Sequence, residues 1–254
     1  MVIEVDRTSE DALLGGRLVL RQPVRGHRFG HDAVLLAAAT PAHAGQVAVE
    51  FGAGVGAAGL ALARRVDGLA VTLIEVDSQL TALARNNATR NGLAERVRVV
   101  CLDVADAAGL AAAGLAAQAA DQLLMNPPFN PPHNASSDRA RRLAHTGWPA
   151  VLSQWIESAA RLLRPGGILT LIWRADGLGD VLTALANGFG AVVILPVHPK
   201  PEVAAIRVLV RATKASKAPL VVLPGFVLAD AGGKPTAQAE AILRDGAAFD
   251  LPTG

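Results

Sequence analysis

Asn126-Pro127-Pro128-Phe129 follows the apolar run Leu123-Leu124-Met125, and its residue types suit chemistry on a planar amine. An exocyclic amine conjugated to an aromatic ring or a carbonyl is a poor nucleophile, because its lone pair is delocalised. Two acceptors placed on its two hydrogens draw the nitrogen toward tetrahedral geometry and stabilise the positive charge that develops as it is alkylated. The Asn126 side-chain oxygen and the Pro127 carbonyl are candidates for those acceptors. The two prolines fix φ and stiffen the loop, so little ordering entropy is lost on binding. Phe129 offers a flat apolar face for stacking a planar base. A strong general base is not required, since the proton can leave after attack. A Pro-Pro pair alone is only a turn; its place beyond a strand, where open α/β sheets gather ligands, gives it weight.

A second constellation precedes it. Glu50-Phe51-Gly52-Ala53-Gly54-Val55-Gly56 lies between a short apolar strand and a helix. Glycines there let the backbone pass close to a ligand, and the helix start offers unpaired N–H groups. Gly54 to Gly59 also reads as G-x-G-x-x-G, with Glu75 at about the distance of a ribose-binding acid, so an NAD-linked oxidoreductase is an alternative. Glu50 counts against it: a carboxylate beside the turn would repel a pyrophosphate and attract an ammonium. Asp103 ends the next strand. Acids at three successive strand ends suit a ligand with an amino group, ribose hydroxyls and an adenine amine.

The elements that must position these residues alternate. Residues 17–22 read as a strand in a hairpin after Gly15-Gly16, and Asp32 as the N-cap of a helix over 33–39. Strands are expected at 46–51, 69–76, 97–102, 121–125, 168–173, 191–197 and 204–212. Helices are expected at 57–66, from a Ser78 cap to about 91, at 107–117, 148–163, 176–186 and 236–244. A long polar loop fills the gap after Phe129, and Pro165-Gly166-Gly167 reads as a turn. This spacing implies a mostly parallel sheet covered on both faces, with the last two strands antiparallel because their connection is too short for a crossover. The expected organisation is an N-terminal extension over 1–45, a central domain over 46–218, and a tail over 219–254 packing on it.

Composition allows this. The 254 residues are 51% hydrophobic and 18% charged, enough for a sizeable core. The single cysteine, Cys101, excludes an internal disulfide and a Cys-based zinc cluster. His27 and His31 are four apart, but Gly30 and Asp32 argue against a shared helix face, so no metal is expected. G-x-S-x-G is absent. Neither a signal-peptide pattern nor a membrane-spanning run is present, which predicts a cytoplasmic protein.

The acid series and glycine turn resemble the S-adenosylmethionine site of class I methyltransferases. That resemblance implies a Rossmann-like α/β fold with a seven-stranded, mostly parallel sheet and an antiparallel final strand. It places Glu50 at the methionine end, Glu75 on the ribose and Asp103 on the adenine amine, with Gly52, Gly54, Gly56 and Asn126 also lining the cofactor. Asn126 to Phe129 resembles the motif shared by adenine N6 methyltransferases, guanine N2 methyltransferases of ribosomal RNA and glutamine methyltransferases of release factors. The run Arg28-Phe29-Gly30-His31-Asp32-Ala33-Val34-Leu35-Leu36, the glycine turn, the Asn-Pro-Pro-Phe motif with the Pro/His/Asn/Ser/Arg loop after it, Arg164-Pro165-Gly166-Gly167 and the late basic strand with Lys214 together resemble the bacterial enzymes that methylate the adenine beside the anticodon of a valine tRNA. There, Phe29, Gly30 and Asp32 would close over the methionine end. The fourth motif residue is Phe rather than Tyr, and the chain has no Tyr.

Net charge is only +2, but the cations cluster: four arginines between 17 and 28 with no acid, and five Lys/Arg between 200 and 217 against Glu202. Arg21 and Arg25, then Arg139, Arg141 and Arg142 after the motif, then Lys214 and Lys217, are the expected RNA-binding residues. Taken singly, each cluster is an ordinary solvated face. A non-catalytic RNA-binding module is the remaining alternative, against which Asn126 and Glu75 speak.

Overall fold

A computed structural model of the protein describes residues 8–24, 28–128 and 137–252, and of 137–148 the helical backbone alone. The chain opens with β1 (Thr8–Leu13), β2 (Leu18–Pro23) and α1 (His31–Ala39). The central alternation follows as β3 (Val47–Phe51), α2 (Ala57–Arg65), β4 (Ala70–Glu75), α3 (Ser78–Arg90), β5 (Val97–Cys101), α4 (Ala107–Ala112) and β6 (Ala120–Met125). It continues with α5 (Ser137–Leu162), β7 (Leu163–Arg174), α6 (Leu178–Leu185), β8 (Phe189–His198) and β9 (Arg207–Lys214). Two short strands, β10 (Val221–Val222) and β11 (Phe226–Val227), and α7 (Ala237–Leu243) complete the described chain.

The main sheet runs β8-β9-β7-β6-β3-β4-β5, with β10 and β11 both along β8. Every pairing is parallel except those of β9, which is antiparallel to β7 and to β8. The expected seven strands are thus present with their antiparallel member. β10 and β11 enlarge the sheet; at two residues each they are too short to leave a periodic signal.

The two faces bury separate cores. Leu35 and Leu36 of α1, Leu60 and Leu62 of α2, Leu18 and Leu20 of β2 and Ile242 of α7 share one. Leu152, Trp155 and Ile156 of α5 and Val181 and Leu185 of α6 share the other, with Phe51 beneath them. Alanines bring α2 close to the sheet: Ala57, Ala58, Ala61 and Ala63 are all buried. The hairpin and tail join the first core, the tail by pairing β10 and β11 with β8.

Several local expectations are corrected. α1 starts at His31 with Gly30 as its cap, and Asp32 lies in its first turn, where Oδ2 accepts from Arg207 Nε at 2.9 Å. Asp77, not Ser78, caps α3: its Oδ1 accepts from the N–H groups of Gln79 and Leu80 at 2.8 and 3.1 Å. α5 begins at Ser137, inside the expected polar loop, and runs through Pro149. Pro165-Gly166-Gly167 lies within β7, at the stretch where its register against β6 shifts. α4 ends at Ala112, before Gly114 at φ +79°.

Candidate active site

Four parallel strands end together. Met125 of β6 lies opposite Phe51 of β3, Phe51 opposite Ile74 of β4, and Glu75 opposite Cys101 of β5. Asn126, Gly52, Glu75 and Asp103 therefore follow one another along a single sheet edge. At about 4.8 Å per strand, the first and last strands stand about 14 Å apart.

The glycine turn is built for two different purposes. Gly52, Gly54 and Gly56 adopt φ of +63°, +57° and +88°, the left-handed region that side chains disfavour. A Cβ on Gly52 would stand 2.5 Å from Cη2 of Trp155, and one on Gly56 2.9 Å from Leu73 Cδ1. Those two glycines make room for protein. A Cβ on Gly54 would meet nothing within 4 Å, so its open side is where a ligand can approach. Gly59, the last glycine of the apparent G-x-G-x-x-G, is also a packing residue: a Cβ there would reach Glu50 Oε2 at 2.6 Å and Leu73 Cδ2 at 2.3 Å. Packing accounts for that glycine without a pyrophosphate.

The three acids differ in setting. Glu50 is 5% exposed, and its Oε2 accepts from the Gly59 N–H at 2.7 Å. Burial pushes its carboxyl up to about 8; the Gly59 hydrogen bond opposes this, and the neighbouring Glu75 charge adds to it. Glu75 is also buried, and both its oxygens hold the turn: Oε2 accepts from Gly54 N at 2.8 Å and Oε1 from Asp77 N at 2.9 Å. Each oxygen keeps lone-pair capacity for a further donor. Asp103 is exposed, with Oδ1 accepting from Ala105 N at 2.9 Å.

Beside the turn, Asn126 presents a buried side-chain oxygen with no hydrogen-bond partner among the described residues. Pro127 follows it and is buried. Phe129 lies outside the described residues. A buried acceptor without a donor is costly, so its persistence at a sheet edge marks a place where a donor is expected to arrive. Phe29 and Gly30 border a groove of about 510 Å³ between β1 and α7. The Phe29 N–H is held by Gln22 Oε1 at 3.1 Å. Asp32 is committed to Arg207, tying α1 to β9.

The basic residues do not form one track. Because β9 is antiparallel, Arg207 pairs with Arg174 at the end of β7 nearest the site, while Thr213 pairs with Ile168 at the other. Lys214 and Lys217 therefore lie at the far end of the sheet from Asn126. The Lys214 ammonium donates to the Leu163 carbonyl at 2.5 Å. Arg211, between Arg207 and Lys214, is buried on the carbonyls of Ala39 and Leu251. Arg21 is exposed but paired with Glu10 at 3.2 Å. Arg25 and the side chains of Arg139, Arg141 and Arg142 lie outside the described residues; the last three fall on α5, which follows the motif in sequence.

Two residues brace the glycine turn without having been singled out for it. Trp155 stacks edge-on against Phe51, with ring centroids 6.2 Å apart, while also filling the space above Gly52. Asn87 is fully buried in α3 and bonded to both β2 and the glycine turn. Its available signal was the pair Asn87 and Asn91, spaced i,i+4 on one helix face. Among the described residues no cluster of His, Cys, Asp or Glu could hold a metal ion, and no helix is long and apolar enough to cross a membrane.

Comparison with known proteins is consistent with this arrangement. The family described as methyltransferase small domain matches residues 28–203. The tRNA1(Val) (adenine(37)-N6)-methyltransferase of Tolumonas auensis is 31% identical over 165 residues, 64% of this chain and 65% of that one. The release factor glutamine methyltransferase of Chlorobaculum tepidum is 31% identical over 161 residues, 60% of this chain and 53% of that one. The chain thus spans between about half and two thirds of the length of these curated relatives. A crystal structure from Agrobacterium tumefaciens, described as a predicted O-methyltransferase, superposes with a TM-score of 0.73 at 28% identity, covering 86% of this chain and 98% of that one.

Proposed function

The chain belongs to the methyltransferase small domain family, and we propose that it methylates an exocyclic amino nitrogen, adenine N6 of a tRNA, using S-adenosylmethionine. The observation that carries this reading is the buried Asn126 oxygen beside the glycine turn, unpartnered among the described residues. An arriving amine would supply the donor that this oxygen lacks.

The residues present fit the cofactor. S-adenosylmethionine, when bound, supplies an electrophilic methyl group on a sulfonium. The open side of Gly54 leaves room for its backbone-hugging part. Glu75, fixed by Gly54 and Asp77, would offer spare lone pairs to ribose hydroxyls, and exposed Asp103 would accept from the adenine amine. Glu50, held largely neutral by burial, would ionise beside the methionine ammonium. Because β6 borders β3, a cofactor whose methionine end is held by Glu50 of β3 would have Asn126 beside it to hold the acceptor nitrogen. Asn126 and the Pro127 carbonyl would hold the two amine hydrogens and orient the lone pair toward the methyl group.

The Agrobacterium neighbour's description points to a hydroxyl acceptor instead. A hydroxyl has one hydrogen for two acceptors and needs a base to remove it, so the motif favours an amine. The names of the relatives support adenine in tRNA, and the release factor enzyme keeps a protein glutamine, whose amide also carries two hydrogens, as the second reading. A tRNA substrate would place the protein in the cytoplasm. The test is transfer from labelled S-adenosylmethionine to tRNA and to release factors, followed by mass spectrometry of the digested products. N6-methyladenosine is expected; methylglutamine in its place would overturn the tRNA reading, and O-methylation would overturn the amine.

A further inference from the structure

The β1–β2 hairpin precedes the span matched by the family, yet one buried side chain ties it to the glycine turn. β2 pairs with β1 on one edge only. Its other edge is completed by two asparagines, Asn87 of α3 and Asn91 at that helix's C-cap, which stand in for a strand. Asn91 accepts from Val19 N at 3.0 Å and donates to Val19 O at 2.9 Å. Asn87 accepts from Arg21 N at 2.8 Å and donates to Arg21 O at 3.0 Å. The two differ in their remaining amide hydrogen. Asn91 spends it on the Asn87 carbonyl in its own helix, at 2.8 Å. Asn87 gives it to Val55 O at 3.0 Å, in the middle of Gly54-Val55-Gly56.

We propose that Asn87 is a positioning residue that couples the seating of the hairpin to the shape of the cofactor turn. The idea rests on that turn binding S-adenosylmethionine. The physical basis is saturation. Asn87 is 0% exposed, and both its amide hydrogens and its oxygen are in use. If the hairpin lifts, the buried amide loses its Arg21 partners and can regain them only by moving, which disturbs Val55. A ligand that fixes the turn therefore holds the hairpin down, and anything that holds the hairpin down tightens the ligand by the same factor.

S-adenosylhomocysteine serves as the probe. Titration calorimetry should show that Asn87→Ala weakens its binding at least fivefold, whereas Asn91→Ala, which loosens the hairpin without touching Val55, weakens it by a smaller factor that disappears when residue 87 is already alanine. Equal losses would mean general loosening and overturn the coupling. Should Asn87→Ala fail to fold, hydrogen exchange of the wild-type protein decides. The ligand should slow exchange in 18–22 while leaving the short edge strand at 220–223 unchanged, and unchanged exchange in 18–22, or equal slowing in both, overturns the proposal. Absence of any binding to the wild type would instead overturn the cofactor reading on which the coupling depends.

Discussion

Trp155 occupies the space that a side chain on Gly52 would need: a Cβ there would lie 2.5 Å from the indole Cη2. The two residues join the glycine turn to α5, the helix that follows the Asn-Pro-Pro-Phe motif in sequence. One contact thus braces the glycine turn against α5. Gly52→Ala should destabilise the protein by about 2–4 kcal/mol, combining overpacking with the cost of a left-handed Ala. Combined with Trp155→Leu in urea denaturation, the loss should be smaller than the sum of the two single losses, because the clash goes while the backbone strain and the lost Trp packing remain. Simple additivity of the two losses would show that they do not share the space.

Glu50 makes stability depend on pH in a definite direction. Its folded carboxyl titrates near 8 against an ordinary 4.5, so between those values the folded protein holds a proton that the unfolded chain has released. That contribution is fully present below about pH 4.5, declines as pH rises, and is gone above about pH 8. Glu50→Gln fixes the neutral form. Its unfolding free energy should fall less between pH 5 and pH 8 than that of the wild type, by a few kcal/mol at about 1.4 kcal/mol per pH unit. Identical pH slopes would mean that Glu50 is ionised in the fold.

Much of this architecture was legible, and the gaps share a cause. The glycine turn and Asn126 declare themselves through local spacing, and the alternation of apolar runs gives the sheet. Asp32 was misread as a cap because its partner, Arg207, is 175 residues away. The contact of Trp155 with Gly52 leaves no sequence signal, because a glycine shows no side chain to match. The cations between 200 and 217 are adjacent in sequence, but β9 spreads them along its length from the site end to the far end, with Arg211 buried between. Contacts between distant segments, and the end of the sheet on which a residue falls, need the assembled topology.

Asn126 should matter to chemistry and little to cofactor affinity. Its buried oxygen has no partner among the described residues, so truncating it removes an acceptor that the proposed reading reserves for the amine. Asn126→Ala should lower the single-turnover rate at least 100-fold, in the range found for removing one preorganised polar group. The Kd for S-adenosylhomocysteine should stay within a few-fold. Near-normal turnover would sink the proposed role, and a large loss of cofactor affinity would reassign the amide to the cofactor.

The placement of the basic residues separates those able to meet a nucleic acid at the site from those that cannot. A flipped base costs a few kcal/mol of unstacking, so phosphate contacts close to the acceptor loop are needed to hold it out. Arg139, Arg141 and Arg142 lie on the α5 segment that follows that loop in sequence. Lys214 is spent on the Leu163 carbonyl at the opposite end of the sheet, with Lys217 beyond it. Replacing the three arginines with glutamine should weaken tRNA binding at least tenfold and reduce the slope of log affinity against log salt by about two, as loss of two or three phosphate contacts requires. Cofactor affinity should not change. Replacing Lys214 and Lys217 together should leave tRNA affinity and its salt slope alone, while lowering the melting temperature through the lost Lys214 hydrogen bond. If the lysine pair governs the salt slope and the arginine trio does not, the RNA approaches from the far end of the sheet, and Asn126 could not be the group that receives its base.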